Sequence, residues 1–270
     1  LDCSDLKGKK LLNLDSEIEG VFTVSCAGGM RSDCCISGTI EPVNGMAGYS
    51  VTVSGLQGGH SGGDIHLGRA SGNQVMGRVL FDAMKKFPGL RLAAVQGGQF
   101  DNVICSRCDA AVAVPAGMET AFEEFVRAYD AILKNEYAGC DDGITLSCGA
   151  ADVTSAVSAA DTSVMLHVLV ALPQGMQAMS VDFPGLVQTS LNMGVLRLKE
   201  DGLHVTFSIR SCIASQKEML AQRVRAIVEF AGGTVTERGK YPGWQYERQS
   251  KFRDMVLEAY HDLTGKEGVV

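Results

Sequence analysis

The sequence predicts an α+β fold, in which helices cover one face of an antiparallel sheet to give a two-layer domain. Short segments alternate apolar and polar side chains, as half-buried strands do. Longer segments carry apolar residues three or four positions apart, which is the spacing of amphipathic helices. The same order of strands and helices recurs in the second half of the chain, so we expect the domain to be internally duplicated.

In the first half of this domain, strands alternate with two predicted helices. The helix at 72–87 has apolar residues at Val75, Val79 and Leu80, which share one side of a helix. Pro115 precedes the second helix, and proline is favoured at helix starts because no amide partner is lost there. The strands are placed at 39–43, 49–53, 90–95, 110–114 and 144–148, and the second helix at 119–133.

In the second half, Asp201-Gly202 separates two apolar strands. This dipeptide predicts a hairpin because it favours the tight turns that join antiparallel strands. A Pro-Gln-Gly run at 173–175 ends the preceding helix. The predicted elements are a helix at 161–172, strands at 187–198 and 203–209, a helix at 215–230 and a strand at 234–237.

The two ends of the chain differ from the region between them. Residues 10–14 predict a buried strand that ends at Asp15, and residues 21–26 predict a second strand. Near the other end, an amphipathic helix is predicted at 250–263, after a Tyr-Pro-Gly-Trp boundary at 241–244. The predicted division is 1–29 and 245–270 as the edges of another domain, with 30–244 as the two-layer domain between them.

Composition excludes several classes of partner. The 270 residues are 46% hydrophobic and 20% charged, with a formal net charge of −7, which does not suit binding to a nucleic acid backbone. No apolar run is long enough to span a bilayer, so no membrane partner is expected. The nine cysteines are an odd number, which favours reduced thiols and a cytoplasmic location. Cys105 and Cys108 form a lone C-x-x-C pair, which we interpret as small apolar core residues.

Asp15 is the candidate metal ligand. It closes the predicted strand at 10–14, and ligands of open α/β sheets bind at the carboxyl ends of strands. A carboxylate fixed there is a suitable ligand for a hard or borderline metal ion. The alternative is a carboxylate that caps a turn, and this segment alone favours the turn.

His60 is the candidate catalytic residue. It stands in the run Gly-Gly-His-Ser-Gly-Gly-Asp-Ile-His at 58–66, where four glycines predict an exposed, mobile loop. An imidazole in such a loop can approach a carbonyl group and hydrogen-bond the negative charge that develops on its oxygen. A solvent-exposed histidine in a flexible turn is the alternative.

Asn102 and Arg210 are candidate substrate-binding residues. Asn102 follows a Gly-Gly pair between two strands, and its amide can donate to a carbonyl or accept from an amine, although an Asx turn has the same pattern. Arg210 ends the strand at 203–209, and its guanidinium can bind a carboxylate through two parallel hydrogen bonds. A surface ion pair is the alternative role. His167 and His204 lie in apolar surroundings and are expected to be packing residues.

The order of these motifs resembles the bacterial aminoacyl-histidine dipeptidases, which are relatives of the carnosinases and zinc aminoacylases. The run around His60 is the most specific part of the resemblance. The other matching segments are Leu-Leu-Asn-Leu-Asp-Ser-Glu at 11–17, Cys-Ala-Gly-Gly at 26–29, Asn-Val-Ile at 102–104 and Ser-Ile-Arg-Ser at 208–211.

The resemblance implies a metallopeptidase with two domains. A catalytic α/β domain would hold two Zn²⁺ ions, and an inserted lid domain would close over a dipeptide. Asp15 would match a zinc ligand, and His60 the lid histidine that stabilises the oxyanion. Asn102 and Arg210 would match lid residues that hold substrate, with Arg210 nearest its C-terminal carboxylate. The implied activity is hydrolysis of Xaa-His dipeptides by metal-activated water, in a homodimer.

The sequence also departs from the family pattern. A His-x-Asp motif and a Glu-Glu pair are expected before Asp15, and an Ile-His-Ala-Gly-Leu-Glu run and a final histidine after Val270, but none occurs in those places. A catalytic zinc takes three protein ligands, so we expect the isolated chain to be inactive and metal-free. Two alternatives stay open: a related aminoacylase, carboxypeptidase or deacylase, and a non-catalytic dimerisation module.

Overall fold

Thirteen strands and five α-helices make up the described part of the chain, which in this computed structural model comprises residues 4–5, 7–15 and 18–270. The strands are β1 (Gly28–Ile36), β2 (Ile40–Pro42), β3 (Met46–Ser54), β4 (Gly59–His60), β5 (Arg91–Gly97), β6 (Val103–Ile104), β7 (Cys108–Pro115), β8 (Thr145–Ala150), β9 (Ser155–Val157), β10 (Gly175–Met179), β11 (Val187–Lys199), β12 (Gly202–Ser211) and β13 (Thr234–Tyr241). The helices are α1 (Gly72–Lys86), α2 (Glu119–Glu136), α3 (Ala159–Ala171), α4 (Ala214–Phe230) and α5 (Lys251–Thr264).

Nine of the strands form one antiparallel sheet. Its order is β13-β1-β12-β11-β5-β7-β3-β8, and β10 also pairs with β11. Strand β11 joins the two halves of the sheet, because its C-terminal part pairs with β5 at Leu196 and Arg197. Two short pairs, β2 with β9 and β4 with β6, lie outside this sheet.

One face of the sheet is apolar and the other is polar. Along β12, Leu203, Val205 and Phe207 are fully buried, whereas His204 and Thr206 between them are partly exposed. This alternation follows from the two-residue period of a strand. Helices α1 to α4 contribute to the same hydrophobic cluster as the buried strand positions. The predicted arrangement of helices on one face of an antiparallel sheet is therefore confirmed.

Most predicted elements of the central region are found within a few residues of their expected bounds, but β1, β10 and the short strands β4, β6 and β9 were not predicted. The positions of β1 that face the core include Ser32 and Cys34 beside Met30 and Ile36. Since only part of that set is strongly apolar, the alternation of β1 is weak in the sequence. The predicted hairpin between β11 and β12 is confirmed, with Lys199 paired to Gly202 across its turn.

The prediction of a buried strand at 10–14 is wrong. These residues form no strand, and the side chains of Leu11 and Leu14 are 85% and 84% exposed. A strand is held by hydrogen bonds to a neighbour, and the described residues provide none for this segment. The predicted strand at 21–26 is reduced to single bridges at its two ends, Val21 to Val269 and Cys26 to Trp244.

The segments near the two ends of the chain contact each other. Phe22 N donates to Val269 O at 2.7 Å, and Val269 N donates to Gly20 O at 2.7 Å. The Phe22 ring also packs edge-on against Tyr260 of α5, with centroids 5.4 Å apart. Helix α5 has no fully buried residue. Over the described ranges, no helix has the length and hydropathy needed to cross a membrane.

The interpretation of the C-x-x-C pair agrees with the structure. Cys105 and Cys108 are 1% and 0% exposed, and neither forms a disulfide. Burial raises the pKa of both thiols. Both sulfur atoms therefore belong to the core. Cys3 lies outside the described residues.

Candidate functional site

His60 is held in a short strand pair that also positions Asn102. In β4, His60 lies opposite Val103 of β6, and Gly59 lies opposite Ile104. The backbone NH of Ser61 donates to Asn102 O at 2.9 Å. Two of the predicted site residues are therefore neighbours, joined through the backbone.

The glycines around His60 allow close backbone approach in an anchored loop. His60 N donates to Asp64 Oδ2 at 2.8 Å, and Arg69 Nη1 donates to Gly58 O at 2.7 Å. Gly59 has φ +136°, and a Cβ there would lie 2.5 Å from Asp64 Oδ2. The prediction of an exposed His60 is confirmed. The loop around it is hydrogen-bonded at several points, so its glycines serve a different role from the mobility that the sequence suggested.

A buried carboxylate fixes both ends of the His60 loop. Asp141 is 0% exposed, and it accepts hydrogen bonds from Gln57 N and Ala70 N, each at 2.7 Å. These two amides bracket the loop, so one side chain sets the distance between its ends. A buried charge needs such partners because it has lost its hydration.

A buried amide fixes the Asn102 turn in a similar way. Asn192 of β11 donates through Nδ2 to Asp101 O at 2.9 Å and to Val103 O at 2.8 Å. The turn also packs closely on β11 at Gly194, where a Cβ would lie 2.5 Å from Asp101 Cα. A side chain at that position would push the Asn102 turn away from the sheet.

Arg210 and His60 meet at Gly62. A Cβ built on Gly62 would lie 2.9 Å from His60 Cε1 and 3.4 Å from Arg210 Cζ. The imidazole Nδ1 also accepts a hydrogen bond from Gly62 N at 3.2 Å. The two side chains therefore lie beside the same glycine, although β12 and the His60 loop are distant in the sequence.

The guanidinium of Arg210 retains an unused donor. Its Nε is buried and has no hydrogen-bond partner among the residues that the structure describes. A buried donor without a partner is costly, and a ligand acceptor would relieve that cost. Arg210 lies at the end of β12, opposite Gly29 and Ser190 on the two neighbouring strands.

An ion pair lies beside the Asn102 turn. Arg31 of β1 donates through Nε and Nη2 to the carboxylate of Asp101, and the hydrogen bonds to Asp101 raise the pKa of Arg31 above its ordinary value. The pair connects the turn to β1, which also borders Arg210 on β12. This ion pair attaches the Asn102 turn to the sheet in addition to the two hydrogen bonds from Asn192.

Asp15 is placed apart from any other set of metal-binding side chains. It is exposed, and its backbone NH contacts Asn13 Oδ1 at 3.4 Å. Within the described ranges, the one group of three or more convergent His, Cys, Asp or Glu side chains lies elsewhere, at Cys35, Asp201 and His204. A single exposed carboxylate does not make a zinc site, so the described residues do not by themselves fit the expected zinc centre.

Several residues that position the site were not found from the sequence. Asp141 and Asn192 have ordinary residue types for a turn and a strand, and no motif marks them. Asp64 and Arg69 could have been suspected, because Asp64 belongs to the run at 58–66 and Arg69 follows it closely. What identifies all four residues is the set of hydrogen bonds they make to the backbone of the site.

Two proteins that are similar to this chain are named as dipeptidases. Residues 45–140 match the family described as peptidase dimerisation domain. The chain is 33% identical over 264 residues to the cytosol non-specific dipeptidase of Escherichia coli (strain K12), covering 97% of this chain and 54% of that protein. It superposes on the aminoacylhistidine dipeptidase from Vibrio alginolyticus with a TM-score of 0.92 and 32% identity, covering 99% of this chain and 55% of that one.

The chain thus spans about half the length of each of these relatives. Both matches extend over nearly all of this chain. The sequence comparison and the structural comparison therefore point to the same kind of protein. The resemblance to the aminoacyl-histidine dipeptidases is confirmed, and the homologues belong to a family of peptidases.

Proposed function

We propose that this chain, as a relative of the dipeptidases, contains the substrate-covering part of a metallodipeptidase that hydrolyses Xaa-His dipeptides. One observation carries the proposal: His60 and Arg210 both lie beside Gly62, and the Arg210 guanidinium has a buried donor without a partner among the described residues. A dipeptide has a scissile carbonyl close to its C-terminal carboxylate. An imidazole and a guanidinium placed side by side match those two groups.

The three site residues would act on different parts of the substrate. Arg210 would bind the C-terminal carboxylate, because a guanidinium can donate two parallel hydrogen bonds to it. His60 would hydrogen-bond the carbonyl oxygen as negative charge develops there. Asn102, held on the neighbouring strand pair, would bind the substrate through its amide. The anchors Asp141 and Asn192 would keep these groups in place before substrate binds.

Water activation is assigned to two zinc ions held by a second domain. Zinc supplies a nucleophile at neutral pH by lowering the pKa of bound water to about 7. Asp15 would be one ligand, and the remaining ligands would come from parts of the dipeptidases that this chain does not match. In this proposal, residues 1–29 and 245–270 belong to that domain, and 30–244 form the inserted lid.

Two features support this division. The segments near both ends contact each other through Phe22 and Val269, as parts of one domain would. Strand β11 connects two groups of strands in the large sheet, which is compatible with an internally duplicated lid. We further propose a homodimer, from the match to a peptidase dimerisation domain, and a cytoplasmic location, from the reduced cysteines and the name of the Escherichia coli relative.

Assaying this chain alone tests the division of labour. The purified 270-residue chain with added zinc is expected to give no hydrolysis of Xaa-His dipeptides above the rate in buffer, because Asp15 alone cannot hold a catalytic zinc. The complete two-domain enzyme is expected to be active under the same conditions. Zinc-dependent turnover by the chain alone would contradict the proposed division.

Arg210→Lys in the complete enzyme is expected to raise KM for Xaa-His dipeptides about tenfold or more. Lysine keeps the positive charge but loses the second, parallel hydrogen bond to a carboxylate. The informative measurement compares each dipeptide with its C-terminal amide. Against the amide, wild type and Arg210→Lys should have similar KM values, because the carboxylate is absent.

Arg223→Lys is the matched control, since Arg223 lies on the exposed side of α4. It should leave both KM values unchanged. An equal loss for dipeptide and amide in Arg210→Lys would mean that Arg210 does not bind the carboxylate.

A further inference from the structure

A second group of chemically reactive side chains lies on the polar face of the sheet, away from the proposed dipeptide site. Cys35 of β1 and His204 of β12 are paired across the two strands, and Asp201 stands in the turn before β12. His204 and Arg210 are on the same face of β12, six residues apart, which corresponds to about 20 Å along a strand. The group is therefore separate from His60 and Arg210.

The three side chains converge on one point. His204 Nε2 lies 2.8 Å from Asp201 Oδ1 and 3.7 Å from Cys35 Sγ, and all three ligand atoms are within 4.8 Å of one another. Cys35 and His204 are partly buried, and Asp201 is exposed. Cys35 and His204 are 169 positions apart in the sequence, so the sheet register alone brings them together. The prediction that His204 is only a packing residue is corrected by this placement.

These separations are close to those of ligands around a tetrahedral zinc ion. Zinc binds cysteine sulfur at about 2.3 Å and histidine nitrogen at about 2.0–2.1 Å, so a tetrahedral angle puts the two atoms about 3.6 Å apart. The observed distance between Cys35 Sγ and His204 Nε2 is 3.7 Å. Asp201 Oδ1 would have to move away from His204 Nε2 by roughly half an ångström to occupy a third tetrahedral ligand position. Asp201 lies in an exposed turn, which allows that movement.

The geometry does not suit a Cys-His-Asp catalytic relay. In such a relay the carboxylate holds one ring nitrogen of histidine and the nucleophile faces the other. Here both Asp201 and Cys35 approach the same nitrogen, Nε2. Burial raises the pKa of the Cys35 thiol, and the negative charge of Asp201 raises it further. A thiol in that environment is a poor free nucleophile, whereas a bound metal deprotonates a cysteine directly.

We propose that Cys35, Asp201 and His204 bind a divalent transition-metal ion, with Zn²⁺ as the preferred one. Thiolate, imidazole and carboxylate together suit zinc better than they suit magnesium or calcium, which take oxygen ligands. Three protein ligands leave the fourth position for water. The bound ion would link β1 to the β11–β12 hairpin. This departs from the expectation that the isolated chain binds no metal.

Cobalt titration of the purified chain, first freed of metal with a chelator, tests the proposal. Co²⁺ is expected to bind at one ion per chain and to show charge-transfer absorption from a cysteine thiolate, which added Zn²⁺ abolishes. Cys35→Ser should remove that absorption. It should also weaken binding more than about a hundredfold, because even a change behind a metal ligand costs about 10- to 100-fold.

Two further variants and two controls distinguish loss of the metal site from loss of folding. They also distinguish the metal site from the proposed dipeptidase site. Asp201→Asn, in an exposed turn, should weaken binding about tenfold or more with no change in circular dichroism, and His204→Gln should weaken it further. Cys148→Ser and Asp15→Asn should bind Co²⁺ like the wild type. The proposal would be overturned if the charge-transfer absorption survived in Cys35→Ser or disappeared in Cys148→Ser. It would also be overturned if His204→Gln bound Co²⁺ with wild-type affinity, or if the wild-type chain did not bind one ion per chain. None of these measurements depends on dipeptide hydrolysis.

Discussion

His60→Ala in the proposed two-domain metallodipeptidase is expected to lower kcat about 100- to 1000-fold for Xaa-His dipeptides, with little change in KM. The magnitude is that of removing one hydrogen-bond donor to a developing oxyanion. KM should change little because Arg210, which is proposed to bind the substrate carboxylate, also lies beside Gly62 and remains in place. Steady-state kinetics with one dipeptide, at fixed zinc, separate the two constants.

His66→Ala is the matched control for this variant. His66 belongs to the same glycine-rich run and is also exposed, but it lies in the short 3₁₀ turn that follows the His60 loop. It should retain kcat within about threefold of the wild type, in keeping with the small effect of most surface substitutions. If the two variants lost kcat equally, the loop as a whole and not the imidazole of His60 would be responsible. A large rise in KM in His60→Ala would instead assign His60 to substrate binding.

The elements of the central region could be predicted because their side chains follow strand or helix periods. In α2, the buried residues Phe122, Val126, Tyr129 and Leu133 recur every three or four positions, as an amphipathic helix requires. The segment at 10–14 has an apolar pattern as well, but a pattern alone does not supply a neighbouring strand. Its leucines are exposed in the structure. Local hydrophobicity predicts an element only where a partner surface is present to bury it.

The sequence was sufficient to predict which residues belong to the candidate site, but it could not predict which of them contact each other. His60 and Arg210 stand out because imidazole and guanidinium groups have specific chemistry and occur in recognisable runs. Their meeting at Gly62 depends on how β12 packs against the His60 loop, which no local pattern encodes. The pairing of Cys35 with His204 depends in the same way on the register of two strands, and a shift of one residue would move one side chain to the other face.

Buried polar anchors are a further class that sequence alone does not reveal. Asn192 lies at a buried position of β11, and only its two hydrogen bonds to the Asn102 turn explain an asparagine there. Buried polar side chains of this kind are retained where they satisfy backbone groups that would otherwise be unpaired. Their positions therefore mark where the backbone departs from regular structure, and in this protein those departures surround the proposed site.

Asp141→Ala is expected to lower the free energy of unfolding of this chain by about 3–5 kcal/mol. The carboxylate accepts hydrogen bonds from Gln57 N and Ala70 N at 2.7 Å each. Each bond to a charged group contributes about 1.5–3 kcal/mol, and removing the carboxylate leaves both amides without their acceptor. Asp141→Asn should keep part of this, because its single carbonyl oxygen can accept from one amide while its NH₂ group faces the other. Urea denaturation followed by circular dichroism measures these differences.

Asp142→Ala is the control, because Asp142 is the next residue, is exposed, and accepts one hydrogen bond from Gly139 N at 2.7 Å. Its loss should lower the unfolding free energy by about 1 kcal/mol or less. The loop itself provides a second measurement, since hydrogen exchange at Gln57 N and Ala70 N should accelerate strongly in Asp141→Ala and stay slow in Asp142→Ala. Equal urea midpoints for the two alanine variants would show that Asp141 does not hold the loop. In that case His60 would be positioned without Asp141, by the β4–β6 strand pair together with Asp64 and Arg69.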